Sequence, residues 1–462
     1  MAVAIDFEDM TETLKEEISS KYVLQTKENL YSDVSTLSFF QVDDKRQKVW
    51  VPLGVWSDLY EEFPTVKRFA KISVQSKKKL FSLGTDPKGT RDQDVVFKEA
   101  YNLLLKHHTV FVAAFPGFGK TSLTNVMISA IGLPTLVICY STTVLDQWED
   151  ELKKFSTAKV WRVKGASGLR PGYDVYICGV IKASTLTRKE LSHIGLVVLD
   201  EAHVCTISAL NKVLLNVSPK YLVGLSATPK RSDGMHSALE LFFGSSKRFI
   251  VRHEVKEYTV YKVQTPFEPK IVKVWRKGKQ IKDWITMINS LAYNSKRQDF
   301  IVRLILKHPK DHLLVLSNRK LQSQALYDKL LAKGMTSQEV RLLIGNKTLK
   351  DKNYRVLIAE VKKASYGFDD PRLSVLILAS DITNIEQSEG RIRRHNNIIY
   401  DLVDDDNSLE LHWKKRETWY NSRGATVKVL TSEDGRTLKE GPTRRYSNAT
   451  TKKTFIPSKR LI

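Results

Sequence analysis

The stretch His108-Thr-Val-Phe-Val-Ala-Ala-Phe-Pro-Gly-Phe-Gly-Lys-Thr121 decides the fold of the chain. Its apolar first half, centred on residues 110–112, predicts a buried strand, and its proline and glycines predict a tight loop. The apolar residues that follow recur at helical spacing and predict a helix over residues 122–131. A strand, a glycine-rich loop, Lys-Thr and a helix in this order are typical of a phosphate-binding loop.

Each part of this loop has a chemical reason. Gly117 and Gly119 allow the backbone to curl so that successive N–H groups face one anion, and the helix N-terminus adds its positive end. Lys120 is expected to reach the β- and γ-phosphates of ATP, and the hydroxyl of Thr121 is expected to ligate Mg²⁺. Ala114 stands where the general pattern has glycine. The predicted ATP-binding residues of the loop are Pro116, Gly117, Phe118, Gly119, Lys120, Thr121 and Ser122.

A second apolar strand ends on two acids, in the segment Val197-Val-Leu-Asp-Glu-Ala-His203. Open α/β sheets bind ligands at the carboxyl ends of their strands, so both acids are expected beside the phosphates. Asp200 is expected to hold the magnesium ion, directly or through water, and Glu201 is expected to polarise the attacking water.

The composition indicates a globular, strongly basic protein. The chain has 462 residues with a formal net charge of +23, and 42% of its residues are hydrophobic. Such an excess of cations beside a phosphate loop favours a polyanionic partner, most simply nucleic acid. Cys139, Cys178 and Cys205 form no metal-binding pattern and are expected to be buried, reduced thiols of an intracellular, reducing compartment. No apolar run approaches the ~18 residues of a membrane span, so neither a span nor a signal peptide is expected.

The pattern of apolar runs predicts two α/β blocks after a small N-terminal module. Residues 1–85 are expected to form an α+β accessory module that either contacts DNA or a partner or serves as a structural cap. Alternating strands and helices predict one parallel sheet within residues 86–255 and another within residues 256–430. Residues 252–290 are expected to be irregular, and residues 431–462 are expected to form a loose basic tail.

The expected elements are as follows. The N-terminal module has a helix over 11–22 and strands over 34–40 and 48–55 joined by a polar turn. The strands of the first block are 109–114, 135–140, 173–178, 195–199 and 221–225, with a helix over 143–155. The strands of the second block are 312–317, 340–344, 354–359, 373–379 and 397–403.

The phosphate loop and the acidic segment together resemble the DEAH branch of superfamily 2 helicases and translocases, with Asp200, Glu201 and His203 in the acidic box. The resemblance implies two tandem RecA-like domains that hydrolyse ATP in the cleft between them. Arg91 and Gln93 lie where the family reads adenine, and glutamine can pair with both the donor and the acceptor edge of that base. The motif formed by Ser141, Thr142 and Thr143 resembles the one that grips the nucleic-acid backbone. The motif with Ser226 and Thr228 resembles the one that couples the state of the γ-phosphate to domain closure.

The second block carries the remaining family motifs in order. The segment with Ser317 and Arg319 resembles motif IV of the superfamily, and the segment with Gly367 and Asp369 resembles motif V. The segment Gln387-Ser-Glu-Gly-Arg-Ile-Arg-Arg394 has the QxxGRxxR spacing of the sixth, and on a helix Gln387, Arg391 and Arg394 would share one face. The resemblance implies that Arg391 and Arg394 neutralise the charge of the γ-phosphate.

The segments Ala227-Thr-Pro-Lys-Arg-Ser-Asp-Gly234 and Ala364-Ser-Tyr-Gly-Phe-Asp369 narrow the resemblance to XPB-type DNA helicases. The layout is most similar to the poxvirus-type transcript-release helicases of large DNA viruses. This implies an ATP- and Mg²⁺-dependent DNA helicase of low sequence specificity, with DNA preferred over RNA. It also implies action in viral transcription or DNA repair, with RNA polymerase or other transcription factors as partners, in the host cytoplasm or the virion.

Three alternatives stay open at this point. The chain could be a phage-type branch-migration helicase, a duplex translocase that does not separate strands, or an RNA helicase. Strand separation usually requires a wedge, and no segment of the sequence stands out as one. Trp413, Trp419 and Tyr420, with the neighbouring cations, are expected either to stack on bases or to pack the last helix onto the second domain.

Overall fold

Two parallel β-sheets flanked by helices contain most of the strands of the protein. The computed structural model describes residues 2–25, 36–55, 69–80, 92–202, 207–227, 237–252, 257–345, 349, 353–365, 370–383, 385–392 and 397–441. These residues fall into two compact units. The first consists of residues 1–254 together with 275–279 and 365–369, and the second of the remaining residues after 254. The following predicted residues lie outside the described ones: Arg91, His203, Cys205, Thr228, Gly367, Asp369 and Arg394; for Gln387 only the backbone is described.

The N-terminal elements are β1 (Ala2–Asp6), α1 (Glu12–Lys21), β2 (Val23–Gln25), β3 (Thr36–Ser38), β4 (Gln41–Asp43) and β5 (Lys48–Pro52). The predicted pairing of residues 34–40 with residues 48–55 is wrong, because β5 pairs with β4 and β1, whereas β3 pairs with β2. The four residues 44–47 form a turn that places Asp43 opposite Lys48. The strand just before this turn, β4, is therefore the one that forms a hairpin with β5.

These elements share a hydrophobic core with the first α/β sheet. The rings of Phe39 and Phe242 meet edge to face with their centroids 5.7 Å apart. The side-chain amide of Asn211 donates a hydrogen bond of 2.7 Å to the carbonyl of Ser38. The predicted linker around residue 85 lies outside the described residues, and the boundary there stays a prediction.

In the part of the chain that the structure describes, the first sheet has seven strands, all paired in parallel, in the order β12-β6-β11-β10-β7-β9-β8. Its elements are α2 (Gln93–His107), β6 (Thr109–Ala114), α3 (Lys120–Ile131), β7 (Thr135–Cys139), α4 (Thr142–Phe155), β8 (Val160–Arg162), β9 (Val175–Gly179), α5 (Val180–Ala183), β10 (Leu196–Leu199), α6 (Ile207–Asn216), β11 (Tyr221–Ser226), α7 (Ser237–Phe243) and β12 (Ile250–Arg252). The five strands predicted for this block are confirmed. Their continuous apolar runs are buried on both faces of the sheet, as parallel strands require.

Among the described residues, the second sheet has eight strands in the order β17-β18-β16-β19-β20-β13-β21-β22, and of these only the last pair is antiparallel. The elements that follow residue 254 are β13 (Tyr258–Gln264), β14 (Lys273–Arg276), β15 (Lys279–Lys282), α8 (Trp284–Ala292), α9 (Ser295–Leu306), β16 (His312–Ser317), α10 (Lys320–Ala332), β17 (Val340–Leu343), β18 (Val356–Glu360), α11 (Val361–Ser365), β19 (Leu373–Leu378), α12 (Glu386–Glu389), β20 (Asn397–Val403), α13 (Asn407–Ser422), β21 (Thr426–Thr431) and β22 (Lys439–Glu440). The five strands predicted for this block are confirmed.

The prediction of an irregular stretch over residues 252–290 is wrong. β13 lies inside the second sheet between β20 and β21, β14 pairs with β15, and α8 follows. Lys262 interrupts the apolar pattern of β13, yet it is only 8% exposed because its ammonium pairs with Glu410 at 2.7 Å. The predicted tail also begins inside described structure, since β22 pairs with β21, and residues 442–462 lie outside the described part.

Cys139 and Cys178 are buried and take part in no disulfide bond, as predicted. Burial raises the pKa of the Cys178 thiol to about 12, so this thiol stays protonated at neutral pH. None of the helices that the structure describes combines the length and apolarity that a membrane crossing requires.

Candidate active site

The phosphate loop connects β6 to α3 at the carboxyl end of its strand. Gly117 and Gly119 both adopt left-handed backbone conformations, with φ of 87° and 91°. Gly119 is the N-cap residue of α3, so the helix N-terminus faces the position that a phosphate would take. The glycines are therefore required by the backbone at both positions.

Gln93 closes one side of this loop. Its side-chain amide donates a hydrogen bond of 2.6 Å to the carbonyl of Phe118. A Cβ atom at Gly119 would lie only 2.2 Å from the same amide nitrogen, so any larger residue there would displace the side chain of Gln93. Gln93, predicted to read adenine, thus lies directly against the loop that would hold the phosphates.

Lys120 and Thr121 begin α3. The ammonium of Lys120 donates to the carbonyl of Ala114 at 2.9 Å, which holds the side chain back over the loop. The hydroxyl of Ser122 instead donates to Glu151 of α4 at 2.9 Å and joins α3 to its neighbour. Lys120 therefore has the position of a phosphate ligand, and the hydroxyl of Ser122 has a structural partner.

Asp200 follows β10 at the same edge of the sheet and is 7% exposed. The indole N–H of Trp148 donates to one carboxylate oxygen at 2.7 Å, and the backbone N–H of Glu201 donates to the other at 2.9 Å. Burial raises the pKa of Asp200 and the charge of Glu201 raises it further, whereas the bond from Trp148 and the charge of Lys120 oppose the rise. The charge of Lys120 thus acts directly on Asp200.

Glu201 has a left-handed backbone conformation, with φ of 52°. This region is sparsely populated by residues other than glycine, and such conformations cluster at functional sites. The backbone at the end of β10 is held by two flanking bonds, because the N–H of Asp200 donates to Ile138 and the N–H of Ala202 donates to Leu225. The turn therefore fixes the direction in which Glu201 leaves the strand.

The residues at this edge fit a magnesium ion. Among the residues that the structure describes, no three His, Cys, Asp or Glu side chains form a metal site of their own. Mg²⁺ is usually bound through one or two protein ligands and takes the others from phosphate and water. Thr121 and Asp200 would supply those protein ligands, and the cation would favour the ionised form of Asp200.

The candidate nucleic-acid contacts of the first unit begin at α4. The hydroxyl of Ser141 accepts a hydrogen bond from the backbone N–H of Val144 at 3.3 Å and so caps the helix. Thr142 and Thr143 are exposed in the first turn of that helix. Ser226 ends β11 and is fully buried, paired with Ala113 of β6.

In the second unit, Ser317 and Arg319 both have internal partners. The buried hydroxyl of Ser317 donates to the side chain of Gln322 at 2.6 Å. The guanidinium of Arg319 donates to the side chain of Asn289 at 2.5 Å. These bonds fix the turn between β16 and α10.

The prediction that Gln387 and Arg391 lie on one helix is wrong. α12 ends at Glu389, and the backbone N–H groups of Arg391 and Ile392 donate to residues three positions earlier. Gly390 disfavours the helix at this point and the chain tightens into a turn. The segment is anchored by Glu389, whose buried carboxylate lies 3.4 Å from the guanidinium of Arg423.

Known proteins are similar in sequence to this chain over most of its length. Residues 87–231 match the protein family described as "Type III restriction enzyme, res subunit". "Putative helicase 161L" of Invertebrate iridescent virus 6 is 29% identical over 457 residues, which cover 93% of this chain and 99% of that protein. "Putative helicase 055L" of Frog virus 3 is 30% identical over 377 residues, which cover 79% of this chain and 85% of that protein. The chain belongs to this family of viral helicases.

Solved structures agree with the fold of this helicase. S. cerevisiae Dbp5 bound to RNA and ADP BeF3 matches with a TM-score of 0.52 and 16% identity, over 76% of this chain and 95% of that chain. At this identity the likeness shows the fold alone. It confirms the predicted α/β fold of two tandem RecA-like domains. The family match and the viral relatives support a helicase of superfamily 2. Membership of this family implies the use of ATP with a divalent metal.

The structure brings together the predicted phosphate loop and Asp200 of this helicase. It also decides between stacking and packing for Trp413 and Tyr420, whereas Trp419 is half-buried. Trp413 and Tyr420 are 2% and 0% exposed and pack α13 onto the second sheet, so neither presents a stacking surface. Lys414 and Lys415 of the same helix are exposed.

Sequence reasoning did not anticipate two contacts at the site. The bond from Trp148 to Asp200 joins residues 52 positions apart, and its only signal was an indole on the buried face of α4. For the ion pair between Glu389 and Arg423, the only indication in the sequence was an acidic residue within a basic motif.

Proposed function

We propose that this helicase couples Mg²⁺-dependent ATP hydrolysis to the separation of DNA strands, as an XPB-like enzyme of the DEAH type. One observation carries the proposal: Lys120 over its phosphate loop and the buried Asp200 lie at one edge of one sheet and interact electrostatically. A phosphate cradle beside a buried carboxylate is the arrangement that phosphoryl transfer to water requires.

Each site residue has a role in this proposal. Lys120 neutralises phosphate charge, Thr121 and Asp200 hold the magnesium ion, and Glu201 takes the proton of the attacking water. Gln93 reads adenine. The remaining proposed ATP-site residues are Arg91, His203, Gly367, Asp369, Gln387, Arg391 and Arg394, with the last two stabilising the charge of the transferred phosphate.

Nucleic acid is proposed to bind through its backbone. The exposed hydroxyls of Thr142 and Thr143 stand at the N-terminus of α4, where backbone N–H groups favour a phosphate. The net charge of +23 supports many further phosphate contacts without base recognition, so low sequence specificity is expected. A role in viral transcription, with RNA polymerase or transcription factors as partners, is proposed from the resemblance of the layout to transcript-release helicases. The viral relatives, described only as putative helicases, support the viral setting.

An RNA helicase is the second candidate, because a relative from Acanthamoeba polyphaga mimivirus, 26% identical over 66% of this chain, is described as a "Putative ATP-dependent RNA helicase L396". A duplex translocase without strand separation is the third. ATP turnover measured side by side with single-stranded DNA, duplex DNA, forked DNA and RNA separates the first two, and a strand-displacement assay separates the third. Stimulation by RNA alone would replace the DNA proposal, and turnover without a displaced strand would favour the translocase.

The role of Glu201 is tested by Glu201→Gln, which keeps the size of the side chain and removes its basicity. Loss of a general base is expected to lower kcat about 10²- to 10⁴-fold while nucleic-acid binding survives. Lys120→Ala should abolish turnover in the same way, and chelation of divalent metal should stop the wild-type protein. Glu433→Gln, at an exposed ion pair with Lys439, is the matched control. Full activity of Glu201→Gln would remove this residue from the mechanism.

A further inference from the structure

Residues 69–80, the last described part of the predicted N-terminal module, run past the carboxyl ends of α3 and α4. The hydroxyl of Ser129 in α3 donates a hydrogen bond of 2.7 Å to the carbonyl of Val74. The backbone N–H of Lys77 donates to the carbonyl of Phe155, the last residue of α4, at 2.8 Å. This segment is therefore fastened to the helix that begins at the phosphate loop.

The side chain of Lys78 extends this contact to the first turn of α3. Its ammonium lies 3.1 Å from Oε1 of Glu151 in α4 and 3.6 Å from the centroid of the Phe155 ring. The hydroxyl of Ser122 donates to the same Oε1 atom at 2.9 Å. The side chains of Lys78 and Glu151 are 23% and 19% exposed, so water screens their charges less than those of a surface pair.

Ser122 directly follows Thr121, the proposed magnesium ligand. It lies in the first turn of α3, where backbone N–H groups without a helical partner face the proposed phosphates. The hydrogen bond to Glu151 joins this turn to α4. Bonds of this kind, from residues outside a site, keep its ligating groups in the geometry they need.

Glu151 also brings a negative charge close to a site that must attract an anion. Its Oε1 atom is one hydrogen bond away from Ser122, and charges of the same sign at short range repel each other in a partly buried environment. Lys78 offsets this charge, because its ammonium pairs with the same oxygen. The ion pair can therefore support the loop without repelling phosphates.

We propose that Glu151 and Lys78 are positioning residues of the ATP site. Glu151 holds the first turn of α3 through Ser122, and Lys78 neutralises the charge that this support introduces. The inference rests on the proposed function and deepens its ATP site. It assigns a role in ATP binding to a segment that precedes the family match, which begins at residue 87.

The test measures the Kd of Mg·ADP by calorimetry and the KM for ATP with the nucleic acid that stimulates the wild type most. Lys78→Met keeps the packing on Phe155, and loss of the charge should raise both constants about fivefold or more. Glu151→Gln keeps an acceptor for Ser122 and removes the repulsion, so both constants should equal the wild-type values or fall below them. The double variant should return to within about twofold of wild type. Because both side chains act through Ser122, kcat should stay within about twofold throughout.

Two further variants separate the effect of position from the effect of charge. Glu151→Ala removes the acceptor of the Ser122 hydroxyl as well as the charge, so its Kd should exceed that of Glu151→Gln about three- to tenfold. Lys153→Met breaks a more exposed ion pair with Glu149 on the same helix and should leave both constants unchanged.

Three results would overturn the inference: an unchanged Kd in Lys78→Met, a Kd raised equally by Lys78→Met and Glu151→Gln, or a double variant that binds no better than Lys78→Met. The second result is what a purely structural ion pair would give, because either substitution breaks the same contact. Failure of the proposed function looks different, since the wild-type protein would then bind no Mg·ADP and hydrolyse no ATP.

Discussion

At the scale of single residues, the bond between Trp148 and Asp200 determines how the proposed magnesium ligand is presented. The tryptophan is 1% exposed, and a buried indole N–H normally has a hydrogen-bond partner. Its donation at 2.7 Å leaves the carboxylate with a fixed orientation. Groups that orient metal ligands in this way matter nearly as much as the ligands themselves.

Trp148→Phe should therefore weaken the binding of Mg²⁺ at the ATP site. The ring remains in the core while the hydrogen bond is lost, and the Mg²⁺ concentration for half-maximal ATP turnover is expected to rise about 10- to 100-fold. A magnesium titration at saturating ATP measures this. Trp413→Phe is the control for loss of packing, because Trp413 is similarly buried at 2% exposure in the second unit. Identical magnesium curves for the wild type and Trp148→Phe would refute the role.

The residue types of the site could be read from the sequence, but their partners could not. Gly117 and Lys120 were predictable because a phosphate loop needs these residue types at a fixed, short spacing along the chain. The contacts of Gln93 with Gly119 and of Trp148 with Asp200 depend on how separate elements pack against each other. Spacing along the chain carries no information about such contacts.

At the scale of elements, α13 is held to the second sheet by a buried ionic network. Arg416 is 1% exposed and donates to Asp381 at 2.8 Å and to Asp401 at 2.8 and 2.9 Å. The hydroxyl of Tyr420 donates to Asp401 at 3.0 Å. Burial alone would raise the pKa of Asp381, but the hydrogen bond from His412 and the charge of Arg416 together lower it. Both acids depend on one arginine.

Arg416→Ala should loosen this part of the second unit. Breaking a buried pair leaves its partners uncompensated and costs about 3–5 kcal/mol. Hydrogen exchange should therefore show lost protection in α13 and β20, while β6 and β10 of the first unit keep theirs. Lys415→Ala, at the exposed neighbouring position, should leave the exchange pattern unchanged. Full protection of α13 in Arg416→Ala would mean that apolar packing alone holds the helix.

Strands were predictable where apolar residues are continuous and were missed where a charge interrupts them. β16 and β19 each contain four consecutive apolar residues, 313–316 and 375–378. In β13, Lys262 breaks the apolar pattern, and its buried side chain places the ammonium beside Glu410. The lysine-rich hairpin of β14 and β15 looked like a solvated loop. The helix expected around Arg391 was too long because Gly390 ends it after one turn.

At the scale of the whole molecule, positive charge is the dominant property. A net charge of +23 on 462 residues creates a field that attracts any nucleic acid and speeds its encounter with the protein. The charge is spread over both blocks of the chain and its C-terminal end, so affinity should come from many phosphate contacts. The tandem arrangement of two parallel sheets was predictable because strands and helices alternate twice along the chain.

Binding to nucleic acid should accordingly weaken steeply with salt. Six or more phosphate contacts imply a fall in affinity of about 10³-fold or more between 50 and 200 mM salt. Fluorescence anisotropy with single-stranded DNAs of unrelated sequence measures the slope, and affinities should agree among them within a few fold. A shallow salt dependence together with a strong sequence preference would show that base recognition dominates instead.

The left-handed backbone at Glu201 restricts which substitutions this position tolerates. Glycine, asparagine and aspartate adopt φ near +50° at little cost, whereas β-branched residues do not. An inactivating change to asparagine would therefore leave the turn after β10 intact, and a change to valine or isoleucine would disturb the neighbouring Asp200 as well. Natural variants at this position should consequently fall into two classes. Variants with glycine, asparagine or aspartate should lack ATP turnover but still fold and bind nucleic acid, and variants with a β-branched residue should lose the metal site as well as the general base.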